Sequence, residues 1–322
     1  MPAIQMTLFD ESEIGLAHES QIKSTLSEWS YSRREMLAQC PRRYYYQYYG
    51  ANQRTAKAEP QKAKLKFLKG LSNRYLRTGN ILHLVISTYL NKLRQGEQWS
   101  PDRLLNWARK IYHDDLEYSR QYEHGTPLPD GNRGPFLLLE FYYGLENTEA
   151  LCTESEGRLI AALTNFVKSP NLAQFRAGAS HTSARIEAST SLKEAHFTLR
   201  GKVDLAYRDG DRVVIVDWKI GSAGSSDNSL QLLSYAWWAR QKFECRPDRI
   251  TLYRVHLADN TVSSSDVCEK DLMQVEARIL QDLERMQEAD DYGRRGIASA
   301  FTPCAQPRVC ALCPFQEVCP KE

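Results

Sequence analysis

Two carboxylates and a lysine stand at the ends of two short apolar segments. Residues Gly201–Asp204 read GKVD, and residues Val213–Lys219 read VVIVDWK. Four β-branched residues before Asp217 predict a buried strand, so the carboxylate that ends it needs a cation, water or a metal ion. Asp217 and Lys219 are two residues apart, which directs both side chains to one face of that strand.

A hairpin is expected to bring Asp204 beside Asp217. The alternation of residues 196–207 predicts a strand, and the Asp-Gly pair at 209–210 predicts a turn that folds it back onto the next one. Two close carboxylates repel, and a divalent cation is the usual reason that a protein keeps them together. Such a site suits metal-assisted phosphodiester hydrolysis, with Lys219 orienting the nucleophile or stabilising the developing charge. These residues alone leave open a plain Asp–Lys ion pair.

The composition is that of an ordinary globular protein. The chain has 322 residues, 42% of them hydrophobic and 25% charged, with a net charge of +2. Affinity for nucleic acid must therefore come from local patches. No apolar run approaches the ~18 residues of a membrane span, and the N-terminus lacks the features of a signal peptide. These observations predict a cytoplasmic protein without membrane contact.

The eight cysteines are expected to be thiols or metal ligands in a reducing compartment. Four lie within sixteen residues of the C-terminal region: Cys304, Cys310, Cys313 and Cys319. Their spacing suits a tetrahedral metal or cluster site but does not distinguish zinc from iron–sulfur. These four, or Cys40 with three of them, would satisfy the ligand count. Three further cysteines are expected to be buried small hydrophobic residues: Cys152, Cys245 and Cys268.

The N-terminal 25 residues are predicted to be a disordered tail before a single domain at 26–322. Within the tail, Gln5–Phe9 reads QMTLF and resembles the bacterial sliding-clamp-binding motif. A disordered tail could place two apolar side chains in a partner's pocket at a modest ordering cost. A chance match in five positions is the alternative.

The segment that follows combines helix signals with aromatic and basic residues. Ser30 or Ser32 is expected to cap the first helix. Residues 40–49 are rich in Arg and Tyr. Stacking on bases or contacts with phosphates would fit them, and a tyrosine-rich helix packed against a cofactor fits them equally. Residues 51–77 carry eight Lys or Arg and one acidic residue, Glu59, which makes them a candidate wall for a groove that follows a phosphate backbone.

His83 lies at the edge of an apolar stripe in a predicted helix that starts near Thr78. A hydrogen-bonded core histidine is the alternative to a ligand. Residues 91–180 are mostly helical in pattern, with a loop at 125–135, and are expected to form a helical insertion or cap beside the sheet. Within them, Phe136–Tyr143 and Leu159–Val167 are predicted to be packing helices.

The remaining elements complete a pattern of helix, three strands, helix and strand. This order predicts an α/β fold with a mixed central sheet flanked by helices. Gln231 and Tyr235 are four residues apart and therefore share one helix face. The predicted elements are a strand at Arg185–Leu192 that carries Glu187, a flexible loop at 221–226, a helix at Ser229–Lys242, a strand at Arg249–Val255 and a helix at Leu272–Met286.

Together these motifs resemble the RecB-like branch of the PD-(D/E)xK nuclease superfamily. The matching segments are Gly79–His83, Gly201–Asp204, Asp217–Lys219, and the Gln231 and Tyr235 pair, and their order makes the set specific. The resemblance implies a restriction-endonuclease-like core. It implies that His83, Asp204, Asp217 and the Trp218 carbonyl coordinate Mg²⁺ or Mn²⁺ and that Lys219 is catalytic. Gln231 and Tyr235 would support DNA and the active-site loop.

The cysteines are similar to those of the iron–sulfur members of this branch. These include CRISPR-associated RecB-like nucleases, the AddB nuclease domain and exonuclease V, in which one cysteine precedes the nuclease core and three follow it. Cys40, Cys310, Cys313 and Cys319 match that pattern, which implies a [4Fe-4S] cluster bound by residues 300–322 and joined to the start of the domain. Cys304 is then a spare or alternative ligand. The resemblance does not account for residues 91–180.

The expected function is a metal-dependent DNA nuclease, an exonuclease or end-processing enzyme that acts on single-stranded or frayed DNA. One alternative is a DNA-binding or complex-assembly subunit with little cleavage of its own, working with a helicase or a defence-system partner. Another is a zinc-stabilised protein with no nucleic-acid role. DNA repair, recombination and antiviral defence all remain open as pathways.

Overall fold

The computed structural model describes residues 27–51, 60–129, 134–194, 197–221 and 229–320. Three segments lie outside these ranges: the clamp-like motif Gln5–Phe9, residues 52–59 of the basic segment, and residues 222–228, which follow the Asp217–Lys219 motif. No helix in the described ranges is long and apolar enough to cross a membrane.

A six-stranded mixed sheet forms the centre of the protein, as the sequence predicted. Its main path runs β1-β3-β4-β5-β6, and β2 pairs with β3. The β1–β3 and β4–β5 pairs are parallel, whereas β2–β3, β3–β4 and β5–β6 are antiparallel. The strands are β1 (Ser27–Trp29), β2 (Arg185–Lys193), β3 (Phe197–Asp209), β4 (Arg212–Lys219), β5 (Ile250–His256) and β6 (Thr261–Asp266).

The long strand β3 has a gap along one edge. Strand β2 covers residues 198–206 of one edge, so β1, at 197–199, and β4, at 205–209, must share the other. Among the described residues, no strand pairs with residues 200–204 on that second edge. Since β1 is parallel and β4 antiparallel to β3, their C-terminal ends approach this gap from opposite sides.

Eleven α-helices of the described residues surround the sheet. Ser30 caps α1 by accepting a hydrogen bond from the Arg33 N–H, and Asn73 caps α4 in the same way with Leu76. The helices are α1 (Tyr31–Gln39), α2 (Pro41–Tyr45), α3 (Pro60–Lys69), α4 (Arg74–Arg94), α5 (Pro101–Arg120), α6 (Leu139–Tyr142), α7 (Thr148–Lys168), α8 (Ala173–Gly178), α9 (Ser229–Lys242), α10 (Glu269–Arg294) and α11 (Pro307–Ala311).

Two hydrophobic cores lie on the two faces of the sheet. On one face, apolar side chains of α4, α5 and α7 pack on Val214, Val216 and Trp218 of β4. On the other face, α9 and α10 pack on Val213 and Ile215. Residues 91–180, expected to form an insertion or cap, thus supply α5 to α8 and much of the first core. This packing fixes α4 above the sheet.

A third core explains the tyrosine-rich segment. Tyr44, Tyr45 and Tyr46 are at most 6% exposed, and they pack with Phe301 and Phe315 from the C-terminal segment. The Tyr44 hydroxyl donates to Asp290 at 2.6 Å. Of the two interpretations that fitted this segment, base stacking by these three rings is therefore wrong, because the rings form a packed core.

Several boundaries differ from those predicted. Strands β1 and β6 were not predicted, and α10 extends the predicted helix at both ends. The packing helix expected at Phe136–Tyr143 is confined to the four residues of α6. Cys152 is buried as predicted, but Cys245 is half-buried and Cys268 is exposed at the start of α10. Short edge strands and helix ends depend on tertiary contacts, which local sequence patterns do not report.

Candidate active site

A cleft of about 860 Å³ opens where β3 lacks a neighbour. The ends of β1 and β4 border it together with β3, and both α4 and α9, which pack on opposite faces of the sheet, contribute side chains. Its charged and polar lining includes Arg77, Asn80, His83, Glu187, Arg200, Lys202, Asp204, Asp217, Lys219, Gln231 and Tyr235. The cleft thus collects the residues of the separate sequence motifs.

The β3–β4 hairpin places Asp204 and Asp217 on adjacent strands, as predicted. Asp209 pairs with Arg212 at the turn, and Leu205 with Val216 at the far end of the ladder. Asp204 and Asp217 each lie one residue beyond that last pair, where the two strands separate. Oδ2 of Asp204 accepts a hydrogen bond from the Trp218 main-chain N–H at 2.8 Å. A side chain therefore replaces main-chain pairing where the two strands separate.

A chain of polar contacts connects Asp217 to helix α9. Lys219 Nζ donates to Oδ1 of Asp217 at 3.0 Å and to Oε1 of Gln231 at 3.1 Å. Nε2 of Gln231 in turn donates to the Tyr235 hydroxyl at 2.9 Å. The predicted spacing of Gln231 and Tyr235 on one helix face thus gives a direct contact. The lysine ammonium is held between a strand carboxylate and a helix amide.

Gly201 allows α9 to approach the sheet closely. A Cβ at this position would lie 2.7 Å from Oγ1 of Thr190 and 2.9 Å from Cε1 of Tyr235. Both distances are shorter than ordinary van der Waals contact, so the glycine is required for the Tyr235 ring to pack here. The side chain of Trp218 lies on the opposite sheet face, against Phe166 and Phe175. Only the main chain of Trp218 is therefore available to the cleft.

Three potential ligand atoms lie close together between α4 and the sheet. Nδ1 of His83 is 3.0 Å from Oε1 of Glu187 and 3.3 Å from Oδ1 of Asp204. Within the described part of the chain, this is the one group of three His, Cys, Asp or Glu residues whose ligand atoms all lie within 4.8 Å. His83 is therefore a member of the site and not a core histidine.

Glu187 is the site residue that sequence reasoning did not single out. It lies on β2 opposite Asp204, between the Ala188–Val203 and Ile186–Leu205 pairs. Its φ of 47° is in the left-handed region, which is rare for residues other than glycine and concentrates at functional sites. Glu187 also forms an ion pair with Lys202. The available signal was a single carboxylate within an otherwise uncharged stretch of strand.

Burial and neighbouring charges change the acid–base properties of the site. Burial, with the nearby Asp204 carboxylate, raises the pKa of Asp217 to about 6, although Lys219 favours the charged form. Burial also disfavours the charged form of His83, but Asp204 and Glu187 outweigh it and raise the pKa of His83 to about 10. The cluster of carboxylates therefore attracts positive charge strongly.

The residues present fit a hard divalent cation. Asp217 is 1% exposed, and its Oδ2 accepts no hydrogen bond of good geometry from the described residues, although it lies 2.9 Å from Lys219 Nζ. An under-coordinated buried carboxylate oxygen is costly unless a cation or proton satisfies it. Carboxylate oxygens with one imidazole suit Mg²⁺ or Mn²⁺ better than soft metals. The closest group is His83, Glu187 and Asp204, whereas Asp217 contacts Lys219.

Five cysteines line a second, smaller cavity. Cys40, at the start of α2, lines a small cavity of about 40 Å³ with four cysteines of the C-terminal segment: Cys304, Cys310, Cys313 and Cys319. The sulfurs of Cys304 and Cys310 are 3.8 Å apart. Burial raises the pKa of Cys313 to about 11. The structure thus brings all four proposed cluster ligands, and the spare cysteine, to one cavity.

Direct protein contacts hold the C-terminal segment against the start of the domain. Arg42 donates from Nε to the Phe301 carbonyl at 2.7 Å. The Tyr46 hydroxyl donates to the Val318 carbonyl at 2.9 Å. The Tyr143 hydroxyl donates to the Pro314 carbonyl at 2.7 Å. These contacts fix the segment on both sides of the cysteine cavity.

The chain is similar to nucleases in sequence. A sequence model of the PD-(D/E)XK nuclease superfamily matches residues 28–320. No curated protein sequence matches the chain significantly.

Two solved structures are similar to it at low identity. One is a protein of Eubacterium rectale named "Putative exonuclease", with 12% identity, a TM-score of 0.45 and a match over 99% of this chain and 96% of that one. The other, SSO0001, has 14% identity and a TM-score of 0.32 over 66% of this chain and 96% of its own. At these scores neither structure carries an argument about function.

Proposed function

The chain belongs to the PD-(D/E)XK nuclease superfamily, and from that premise we propose that it is a deoxyribonuclease dependent on Mg²⁺ or Mn²⁺. Members of this superfamily are phosphodiester hydrolases that use divalent metal ions. Within it, we assign the chain to the RecB-like branch, on the motifs that contain His83, Asp204, Asp217 and Lys219. The observation that carries the proposal is the convergence of these four residues, with Glu187, in one cleft.

The metal ligands in this proposal are His83, Asp204, Asp217 and the carbonyl of Trp218, to which the geometry adds Glu187. When bound, the cation would lower the pKa of a coordinated water and offset the charge of the phosphate. Asp204 is oriented for this role by its hydrogen bond from the Trp218 N–H. His83 is oriented by the contact of its Nδ1 with Glu187 on β2.

Lys219 is the proposed catalytic cation. Its ammonium is fixed at 3.0 Å from Asp217 and 3.1 Å from Gln231, so it needs little reorganisation to orient a water or stabilise charge on the phosphate. Gln231 and Tyr235 position that ammonium through their own hydrogen bond. Because donors held in advance stabilise charge better than mobile ones, this chain of contacts supports a catalytic role.

We propose single-stranded DNA or frayed ends as the substrate and exonuclease or end-processing activity as the reaction. Asp204 is 7% and Asp217 1% exposed, so the phosphate must enter the cleft to reach them. A flexible single strand can do this more easily than a rigid duplex. The digestion experiment described below also tests the alternative, a DNA-binding subunit with little cleavage of its own.

We propose a [4Fe-4S] cluster as the second cofactor, bound by Cys40, Cys310, Cys313 and Cys319. A zinc ion with bonds of ~2.3 Å would hold its sulfurs about 3.8 Å apart. The sulfurs of Cys304 and Cys310 have that separation, but Cys304 is outside the ligand set that the resemblance implies, so the choice of an iron–sulfur cluster rests on the resemblance. The cluster would join the two ends of the domain. A sliding clamp that binds Gln5–Phe9, and a helicase or defence-system partner, remain proposals from the sequence.

The test is digestion of end-labelled linear and circular DNA, single- and double-stranded, with Mg²⁺ or Mn²⁺. Wild type is compared with Asp217→Asn, which keeps the shape of the side chain, and with Asp211→Asn, whose residue forms a surface ion pair with Arg249. We expect wild type and Asp211→Asn to shorten linear single strands and Asp217→Asn to lose cleavage by at least ~100-fold.

Equal cleavage by Asp217→Asn would overturn the assignment of the site. Binding without cleavage by cluster-loaded wild type would favour the DNA-binding alternative. Cutting of circular single strands would replace exonuclease with endonuclease activity.

A further inference from the structure

Arg77 is a buried arginine at the wall of the active-site cleft with no role in the proposed metal site. It lines the cleft from α4, yet it is only 8% exposed. Its Nε and Nη2 both donate to the carboxylate of Asp115 on α5, the second at 3.2 Å. The guanidinium also lies over the ring of Phe136, 4.1 Å from its centroid. Two neighbours thus fix the plane of the guanidinium.

The carboxylate behind Arg77 is itself fixed. Asp115 is fully buried, and its Oδ1 accepts a hydrogen bond from the Phe136 N–H at 2.8 Å. Ser119, one turn along α5, donates to the Asp115 carbonyl at 2.7 Å and accepts from the Leu138 N–H at 2.9 Å. The anchor of the arginine is therefore part of the protein core and does not move with the cleft surface.

One edge of this guanidinium remains open. An arginine has five N–H donors, and those on Nη1 make no hydrogen bond to the described residues. The other cationic side chains of the cleft differ from Arg77 in the location of their carboxylate partners, which lie at the proposed metal site or at the protein surface. Lys219 pairs with Asp217, Lys202 with Glu187, and Arg200 with Glu28, which is 45% exposed. Arg77 alone among the described lining cations is held from behind by a core carboxylate.

The position of Arg77 relative to the metal site follows from helix geometry. Arg77 and His83 are six residues apart on α4, which separates them by ~9 Å along the helix axis and ~120° around it. Asn80, Leu84 and Ser87 occupy the arc between them and also line the cleft. One helix face therefore spans the distance from the metal site to this guanidinium.

We propose that Arg77 binds a phosphodiester group of the substrate strand at a position other than the bond that is cut. This inference rests on the proposed nuclease function and adds a binding residue to that site. A planar guanidinium with a free N–H edge matches the oxygens of a phosphate. Asp115 and Phe136 hold that edge toward the cleft before the strand arrives, so binding requires little ordering of the side chain.

The test uses paired substitutions so that no buried charge is left without a partner. Arg77→Gln with Asp115→Asn removes the guanidinium and keeps a neutral polar pair. The matched control is Arg74→Gln with Glu140→Gln. Arg74 and Glu140 form a similar buried ion pair at 2.9 Å, one turn earlier on α4. Arg74 belongs to the basic segment predicted to form a groove wall, but of the described residues of that segment only Arg77 lines the cleft.

Both double variants are made in an Asp217→Asn background, and binding of a fluorescent single-stranded oligonucleotide is followed by anisotropy over a range of salt concentrations. We expect the Arg77 variant to bind about tenfold more weakly, the size of one charge-assisted hydrogen bond. Its slope of log affinity against log salt should fall by about 0.7, the value for one lost phosphate contact on a single strand. The Arg74 control should keep both affinity and slope.

Two results would overturn the inference. One is an unchanged salt slope in the Arg77 variant, which would mean that Arg77 meets no phosphate. The other is an equal loss of affinity in both double variants, which would mean that Arg77 acts only through the packing of α4 on α5. Digestion by the wild type separates the nuclease function from the phosphate site at Arg77. If the wild type does not cleave DNA but its salt slope depends on Arg77, the nuclease function is overturned and the phosphate site stands.

Discussion

Nδ1 of His83 lies 3.0 Å from Oε1 of Glu187, which joins helix α4 to strand β2 across the cleft. The contact links two residues, one on a helix and one on a strand, that are distant in the chain but adjacent at the proposed metal site. Glu187 holds this position with a left-handed backbone conformation, which generally costs about 1–3 kcal/mol. We infer that this conformation serves the proposed metal site.

We therefore expect Glu187→Gln to weaken metal binding. The amide keeps the shape of the side chain and can still bond His83, but it removes one negative charge, so affinity for Mn²⁺ should fall about tenfold, as is typical for groups that orient metal ligands. Calorimetric titration with Mn²⁺ measures this directly. Glu194→Gln is the control, because the Glu194 carboxylate accepts a hydrogen bond from Gln241 at the surface. Unchanged Mn²⁺ affinity would place Glu187 outside the metal site.

Gln231 is expected to affect catalysis more than metal binding. It accepts from Lys219 and donates to Tyr235, so Gln231→Ala should leave the ammonium less well oriented and lower kcat by about 10- to 100-fold. KM and the Mn²⁺ requirement should change little. Gln241→Ala, on the same helix but bonded to Glu194, is the control in steady-state assays. A reduced Mn²⁺ affinity in the Gln231 variant would instead make Gln231 part of the metal site.

The hairpin and the helix face that border the candidate active site could be predicted because their motifs are local. The β-branched run before Asp217, the Asp-Gly turn and the four-residue spacing of Gln231 and Tyr235 each determine geometry over a few residues. Those segments form the hairpin and the helix face that the sequence indicates. His83 needed the resemblance as well, because a histidine at the edge of a helix stripe has no local signal for its partners.

The features that sequence analysis missed depend on contacts between distant segments. Glu187 reaches the site through its pairing opposite Asp204 and an unusual φ angle, neither of which its neighbours in sequence reveal. The bond between Arg77 and Asp115 joins residues 38 positions apart. The tyrosines at 44–46 look like a stacking surface in sequence, and only their packing on Phe301 and Phe315 shows them as a core.

Gly201→Ala should destabilise the fold and disturb the site together. The new Cβ would meet Thr190 and the Tyr235 ring within 3 Å, and overpacking of this kind generally costs about 1–3 kcal/mol. Gly157→Ala is the matched control, since Gly157 is exposed on α7 with no atom within 4 Å of an added Cβ. Alanine there should stabilise the helix by up to ~1 kcal/mol. Chemical unfolding of both variants measures the difference, and equal stabilities would contradict the close approach of α9 to β3.

The cysteine cavity yields a prediction that separates the four proposed ligands from the fifth cysteine. Cys313→Ser should lose the visible iron–sulfur absorbance and about four iron atoms per chain, whereas Cys304→Ser should keep both. Cys152→Ser is the control, because Cys152 is buried in α7 within the first core. Metal analysis and absorbance of anaerobically purified proteins measure the outcome.

The sulfurs of Cys304 and Cys310 are only 3.8 Å apart, so either could be the ligand at this position. If iron is lost in Cys304→Ser but kept in Cys310→Ser, Cys304 replaces Cys310 in the ligand set. A colourless wild type with stoichiometric zinc would replace the cluster with a zinc site.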